Sequence, residues 1–222
     1  MAVRTCRASG CDARTTRYGH FCPTHKSRLR RHGHPDQNAI TKAGLQPFVK
    51  LVRARMAKNE ANPLWHQCEA RWAAIIDHAR HVIAASSGGR AGYRCERVAA
   101  QEVVKLADHV APSDVVVTTL AAFVLIDHQP RLFRSDASFK TQLVRRVRGL
   151  TEVNAGSWFN AHTGKTKRAY RELTPRAVMV LAGWLSDALG AVGLTLADME
   201  RREHDHRQRE RQAMAEALGS LT

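Results

Sequence analysis

Cysteine and histidine residues are closely spaced near the start of the chain, and this spacing constrains the fold more than any other feature of the sequence. The pattern is Cys6-x4-Cys11-x10-Cys22-x2-His25. Thiolates and a neutral imidazole are the ligands that zinc prefers, and two close pairs joined by a short loop can surround one ion tetrahedrally. We therefore predict one structural zinc ion per chain, held by Cys6, Cys11, Cys22 and His25.

The local sequence supports a small finger built around these ligands. Pro23 suits the first turn of a helix, which would place Cys22 and His25 three residues apart on one helical face. The segment has almost no apolar content, so metal binding would supply most of its folding energy. His20 is an alternative fourth ligand, although His25 has the better spacing.

Charge is the strongest signal in the composition. The 222 residues contain 35 Lys and Arg against 20 Asp and Glu, a formal charge of +15. Such a surplus attracts polyanions, so nucleic acid is the expected partner and an anionic membrane surface the weaker alternative. The charge is clustered: residues 1–34 hold eight Lys or Arg and a single acid, Asp12.

The helix predicted after Cys22 carries Lys26, Arg28, Arg30 and Arg31, four cations within six residues. A basic helix anchored by a metal ion is suited to phosphate contacts, and a solvated basic face is the alternative interpretation. The run from Cys6 through His25 to the Arg-Arg-His-Gly-x-Pro ending at Pro35 resembles the small finger at the start of many phage and prophage HNH homing-type endonucleases and related phage DNA-binding proteins. The resemblance covers about 35 of the 222 residues. It implies an auxiliary DNA-binding module.

The rest of the chain predicts a mainly α protein. We expect a treble-clef or knuckle-like finger over residues 1–34, a linker over 35–46 and a helical domain over 47–222. In that domain, apolar residues recur at three and four positions, as in Trp65, Cys68 and Trp72. Pro47 suits a first helical position. The capping box that begins at Thr195 predicts a separate charged helix over 196–218.

Residues 131–176 form a second basic element, with eleven Lys or Arg against three acids. The segment from Ser138 to Gly149 resembles a recognition helix, and the stretch around Thr163-Gly164 predicts one β-hairpin that resembles a wing. The cations expected to contact nucleic acid here are Arg145, Arg146, Arg148, Lys165, Lys167 and Arg168.

An HNH nuclease centre requires histidine and a second metal-binding group around a ββα hairpin. The chain offers Asp127-His128, Asn160 with His162, and His204-Asp205-His206. Each group is more typical of a structural or solvated role, so no catalytic residue is predicted.

These features favour a zinc-finger nucleic-acid-binding protein of phage or mobile-element type that binds rather than catalyses. DNA is favoured over RNA, and a role in transcriptional or replication control is expected. A divergent HNH-like endonuclease and a phage-encoded inhibitor or adaptor of a host machine are the alternatives. Five cysteines are an odd number and are not arranged as disulfide pairs, which favours a reducing cytoplasm. The two longest apolar runs do not predict a membrane span, because one is short and the other contains Asp187.

Overall fold

A computed structural model describes residues 4–16, 18–88 and 92–219 of the chain, and for residues 167–169 it describes the backbone alone. The described part is mainly helical, as predicted, with one two-stranded antiparallel sheet. The helices are α1 (Pro23–His32), α2 (Lys42–Lys58), α3 (Leu64–Ser87), α4 (Arg94–His109), α5 (Pro112–His128), α6 (Asp136–Arg148) and α7 (Pro175–Gly219). The strands are β1 (Ala155–Asn160) and β2 (Lys165–Tyr170).

Helix α5 forms the centre of the helical domain. Its residues from Val115 to Leu125 are all buried, which explains why its sequence is apolar nearly all round. Helices α2, α3, α6 and α7 pack around it. Cys68 and Trp72 on α3 are fully buried in the same core, which agrees with their place in the apolar pattern of the sequence.

Helix α7 is continuous over 45 residues, and the prediction of a separate helix over 196–218 is wrong. The Thr195 hydroxyl donates a hydrogen bond to the Ala191 carbonyl inside the helix instead of capping a new one. Gly190 and Gly193, which precede Thr195, lie where α7 packs closely against α5. A Cβ on Gly193 would lie 2.6 Å from the Cβ of Phe123.

The first half of α7 is long and apolar enough to cross a membrane by length and composition. In this structure Leu181, Leu185 and Leu189 on that half are fully buried in the core. From residue 201 to 218 every side chain on α7 is exposed, although Arg201 and Glu203 still form ion pairs with Asp127 and Arg55 of the domain.

The segment predicted as a linker over 35–46 is packed against the helical domain. Gln37 is buried, and its amide donates to the Leu132 carbonyl at 3.0 Å while its oxygen accepts from the Arg134 N–H at 3.0 Å. Helix α2 begins at Lys42, capped by the Thr41 hydroxyl. Pro47 therefore lies inside α2, on its exposed side, and the prediction that it begins the helix is wrong.

The β-hairpin predicted around Thr163-Gly164 is present. Strand β1 pairs with β2 from Ala155↔Tyr170 to Asn160↔Lys165. The Asn160 side-chain oxygen accepts hydrogen bonds from the backbone N–H groups of His162 and Thr163, which fixes the turn.

Candidate metal centre and basic surfaces

The four predicted metal ligands come together. The ligand atoms of Cys6, Cys11, Cys22 and His25 all lie within 4.8 Å of one another, close enough to bind one metal ion. Nδ1 of His25 lies 3.2 Å from Sγ of Cys22 and 3.5 Å from Sγ of Cys6. Tetrahedral zinc with ordinary bond lengths separates sulfur from nitrogen by about 3.5 Å, so the spacing is compatible with zinc.

Two short elements position these ligands. The first pair lies on a turn in which the Cys11 N–H donates to the Ala8 carbonyl at 3.2 Å, and the Cys6 N–H donates to the Ala13 carbonyl at 2.9 Å. The second pair lies at the start of α1, where Cys22 is the residue before Pro23. The Cys22 N–H donates to Sγ of Cys6 at 3.3 Å, which links the turn to the helix.

The surroundings act differently on two of the thiols: for Cys11, a hydrogen bond from the Ala13 backbone lowers the pKa, but burial and the neighbouring Cys6 and Cys22 thiols outweigh it and raise the pKa. Burial raises the pKa of the Cys6 thiol, but hydrogen bonds from the Cys22 and Ala8 backbone and from neighbouring thiols outweigh it and lower the pKa to about 7. A thiol with a lowered pKa provides the thiolate that metals bind.

His25 is the histidine of the cluster, and the alternative ligand His20 is exposed and is not part of the group. On the far side of the His25 ring, Nε2 lies 3.9 Å from a carboxylate oxygen of Asp36. At this distance the two groups are not hydrogen-bonded, but the carboxylate lies where a small movement would let it accept the ring N–H that a metal-bound histidine turns away from the ion. Asp36 is a residue that sequence reasoning missed, and its position eleven residues after His25 gave no signal for it.

Helix α1 presents its cations in two groups. Lys26 and Arg28 are exposed. Arg30 and Arg31 are also exposed but both contact Glu172, with nitrogen–oxygen distances of 3.1 and 2.8 Å. Lys26 and Arg28 are therefore the two cations of α1 that are exposed and do not contact Glu172.

Helix α6 lies against the core and does not have the exposed position of a recognition helix. Eight of its residues are buried, among them Phe139, Leu143 and Val147 on the apolar face. Arg148 is 8% exposed and pairs with Glu102 at 2.7 Å, so its charge is used inside the domain. Arg145 donates from Nη1 to the Arg31 carbonyl at the end of α1, at 3.1 Å.

The hairpin is the more exposed part of the second basic element. Trp158 is 51% exposed, Phe159 is 66% exposed, and Lys165 is exposed beside the turn. The register pairs Trp158 with Lys167 and Ser157 with Arg168, but the side chains of Lys167 and Arg168 lie outside the described residues. The signal for an exposed hairpin was its unusual aromatic content in the sequence.

The residues considered for an HNH centre remain apart. Asp127 pairs with Arg201 at 2.6 Å, and the His128 ring packs edge-on against Phe48. Asn160 caps the hairpin turn, and His206 faces Glu210 at 3.4 Å. Among the described residues, the Cys6 cluster is the one group of three or more such side chains close enough to hold a metal ion.

Comparisons with protein-family models, with curated proteins and with solved structures find no match to this chain. A function is therefore assigned from the geometry of this structure: the finger, the basic surfaces and the hairpin.

Proposed function

We propose that this chain is a zinc-finger nucleic-acid-binding protein, with DNA favoured over RNA, that acts as a regulator of phage or mobile-element type. The observation that carries the proposal is the placement of exposed Lys26 and Arg28 on the same helix that supplies Cys22 and His25. A bound metal would fix this helix, so both cations would meet phosphates from a rigid element. Zinc is the metal of choice because three thiolates and one imidazole form a closed tetrahedral set.

The hairpin supplies a second contact element of different chemistry. Trp158 and Phe159 are large exposed aromatic side chains at consecutive positions of β1, and therefore on opposite faces of the hairpin, and exposed Lys165 lies on β2. Aromatic side chains beside cations stack on nucleic-acid bases, in particular on bases that are unpaired or unstacked. In this proposal the finger grips phosphates and the hairpin tip contacts bases or a groove.

Helix α6 has a supporting role in this proposal. Its buried face and its contact with the end of α1 make it the platform on which the finger is held. We therefore assign nucleic-acid contacts to Lys26, Arg28 and the hairpin, and we leave Arg148 out because Glu102 already compensates its charge.

The test is fluorescence polarisation of the zinc-loaded protein with duplex DNA, single-stranded DNA and RNA across a salt series. The Lys26→Gln, Arg28→Gln double variant is expected to bind more weakly and to lower the slope of log K against log salt by about 2, since each phosphate contact contributes about 0.9. Arg209→Gln, Arg211→Gln removes the same charge from the exposed end of α7 and serves as the control.

Three results would replace the proposal. No binding to any nucleic acid at low salt would refute it. Tight protein binding that persists as salt rises, without affinity for nucleic acid, would favour the inhibitor or adaptor alternative. Magnesium-dependent nicking of plasmid DNA that is lost in His162→Ala would favour the nuclease alternative.

A further inference from the structure

A small basic cavity lies where the end of α1 meets α6 and the end of β2. Its volume is about 280 Å³. It is lined by Arg30, Arg31, Lys42, Arg145, Arg146 and Tyr170, with Glu172 as its acidic residue. The size is near the lower limit of ligand pockets, which suits one small anionic group better than a whole nucleotide.

The arginines of α6 in this cavity have nitrogen atoms without partners. The Nε atoms of Arg145 and Arg146 are buried and have no hydrogen-bond partner among the described residues. Burial lowers the pKa of both guanidinium groups, and the charge of Arg145 lowers that of Arg146 further. Both guanidinium charges are therefore partly desolvated, and the charge of Glu172 acts favourably on Arg145.

The single negative charge of Glu172 does not balance the cations that line this cavity. Its two carboxylate oxygens are used by Arg30 and Arg31 at the rim. Arg148 also lines the cavity but is neutralised by Glu102. Arg146 forms no ion pair with a described acidic residue, and its partly exposed side chain lines the cavity, so a cation without a carboxylate partner borders it. Unpaired buried charge is costly, and a bound anion would offset that cost.

We propose that this cavity binds a phosphate monoester group, with Arg145 and Arg146 as its inner donors and Arg30, Arg31 and Lys42 at its rim. A monoester carries nearly two negative charges and three acceptor oxygens, whereas a backbone diester carries one charge. Guanidinium groups bind such oxygens through paired N–H donors. The half-exposed Tyr170 at the same opening is placed to contact a sugar or base attached to the phosphate.

Two ligands share this chemistry: the terminal phosphate of a nucleic acid and free inorganic phosphate. We choose the terminal phosphate of a nucleic acid as the biological ligand, and this choice rests on the proposed function. Two measurements separate them. The first is thermal denaturation of the zinc-loaded protein in potassium phosphate and in potassium chloride of equal ionic strength. The second is polarisation with one short single-stranded oligonucleotide carrying either a 5′-phosphate or a 5′-hydroxyl.

Wild-type protein is expected to be stabilised by phosphate over chloride and to bind the 5′-phosphorylated strand at least about tenfold more tightly, the value of one charge-assisted contact. Arg146→Met keeps the aliphatic stem and removes the charge. We expect it to lose both effects while its stability in chloride is unchanged or higher, because a partly buried cation without a carboxylate partner has been removed. Lys42→Gln tests the exposed rim without disturbing the core, and the same Arg→Met change at exposed Arg211 is the control.

The outcomes distinguish this proposal from the broader one. Nucleic-acid binding with no preference for the 5′-phosphate and no stabilisation by phosphate would overturn the cavity assignment and leave the proposed function standing. Stabilisation by phosphate that Arg146→Met abolishes, with no nucleic-acid binding, would support the cavity as a site for phosphate itself and refute the proposed function.

Discussion

Arg148 on α6 donates a hydrogen bond of 2.7 Å from Nε to a carboxylate oxygen of Glu102 on α4, and both side chains are buried. The Asn154 amide donates to the same oxygen. Arg148 also donates from Nη2 to the Arg171 carbonyl at 2.7 Å. Because Asn154 precedes β1 and Arg171 follows β2, this network joins the base of the hairpin to two helices.

Removing one member of this buried pair should strongly destabilise the protein. Glu102→Ala leaves Arg148 as a buried charge without its carboxylate partner, and we expect the free energy of unfolding to fall by about 3–5 kcal/mol. Urea denaturation followed by circular dichroism measures the loss. The matched control is Asp77→Ala, which removes the exposed Arg80 pair and should cost at most about 1 kcal/mol. Similar losses for the two variants would contradict the structural role of the network.

Gly33 ends α1 against α6 and has no room for a side chain. Its φ is +81°, and a Cβ there would lie 2.5 Å from the Ala137 carbonyl oxygen. Gly164 has a similar φ of +62° with nothing within 4 Å, so Gly164→Ala isolates the backbone strain, about 1–2 kcal/mol. We expect Gly33→Ala to cost a further ~1–3 kcal/mol from overpacking. Chemical denaturation gives the two totals, and hydrogen exchange in α1 should rise in the Gly33 variant alone.

His32 makes the contact between α1 and α6 sensitive to acid. Burial, followed by the charges of Arg145 and Arg31, lowers its pKa from 6.5 to about 4. The Gln142 amide lies 3.1 Å from Nδ1 of His32 and donates to it, which requires the unprotonated ring nitrogen. Between pH 6.5 and 4 the unfolded chain therefore binds a proton that the folded protein does not.

Neutral His32 should contribute its full share to the free energy of unfolding above about pH 6.5. This share should be lost as the pH decreases from about 6.5 towards 4. His32→Gln keeps a neutral acceptor at every pH and should show a flatter dependence over that window. Denaturation midpoints of the two proteins measured at several pH values provide the check. Any loss of metal at low pH affects both proteins, so the difference between them reports His32. Parallel pH profiles would refute this assignment.

Sequence reasoning found the features that local chemistry encodes. Pro23 directly after Cys22 identified the helix that carries His25, and the helix expected from Ser138 to Gly149 is present as α6. The four ligands lie within 19 residues of one another, so their spacing alone predicted the cluster.

Features that depend on distant packing were not predictable in this way. Glu102 and Arg148 are separated by 46 positions, and Arg30 and Glu172 by 142, so no local pattern indicates that either pair forms. The arginines of α6 resemble surface cations, yet they enclose a cavity because α1 packs over them. The continuity of α7 depends on Phe123 of α5, which packs beside Gly190 and Gly193.

Removing the metal should unfold the finger and leave the helical domain intact. The buried residues of the finger, Cys6, Ala8 and Cys22, form a cluster separate from the main core, and without a metal they bury too little apolar surface to hold the turn and α1 together. A strong chelator should therefore lower the helical signal by little more than the ten residues of α1, while the cooperative unfolding of the core persists.

Cys22→Ser should reduce bound zinc from one per chain to near zero, and Cys95→Ser is the matched control because Cys95 is not part of the cluster. Elemental analysis of the purified proteins gives the stoichiometry. Wild-type protein with far less than one zinc per chain, or equal losses in the two variants, would refute the assignment of the metal. If it stands, chelation should also weaken nucleic-acid binding, because Lys26 and Arg28 would no longer be held on a folded helix.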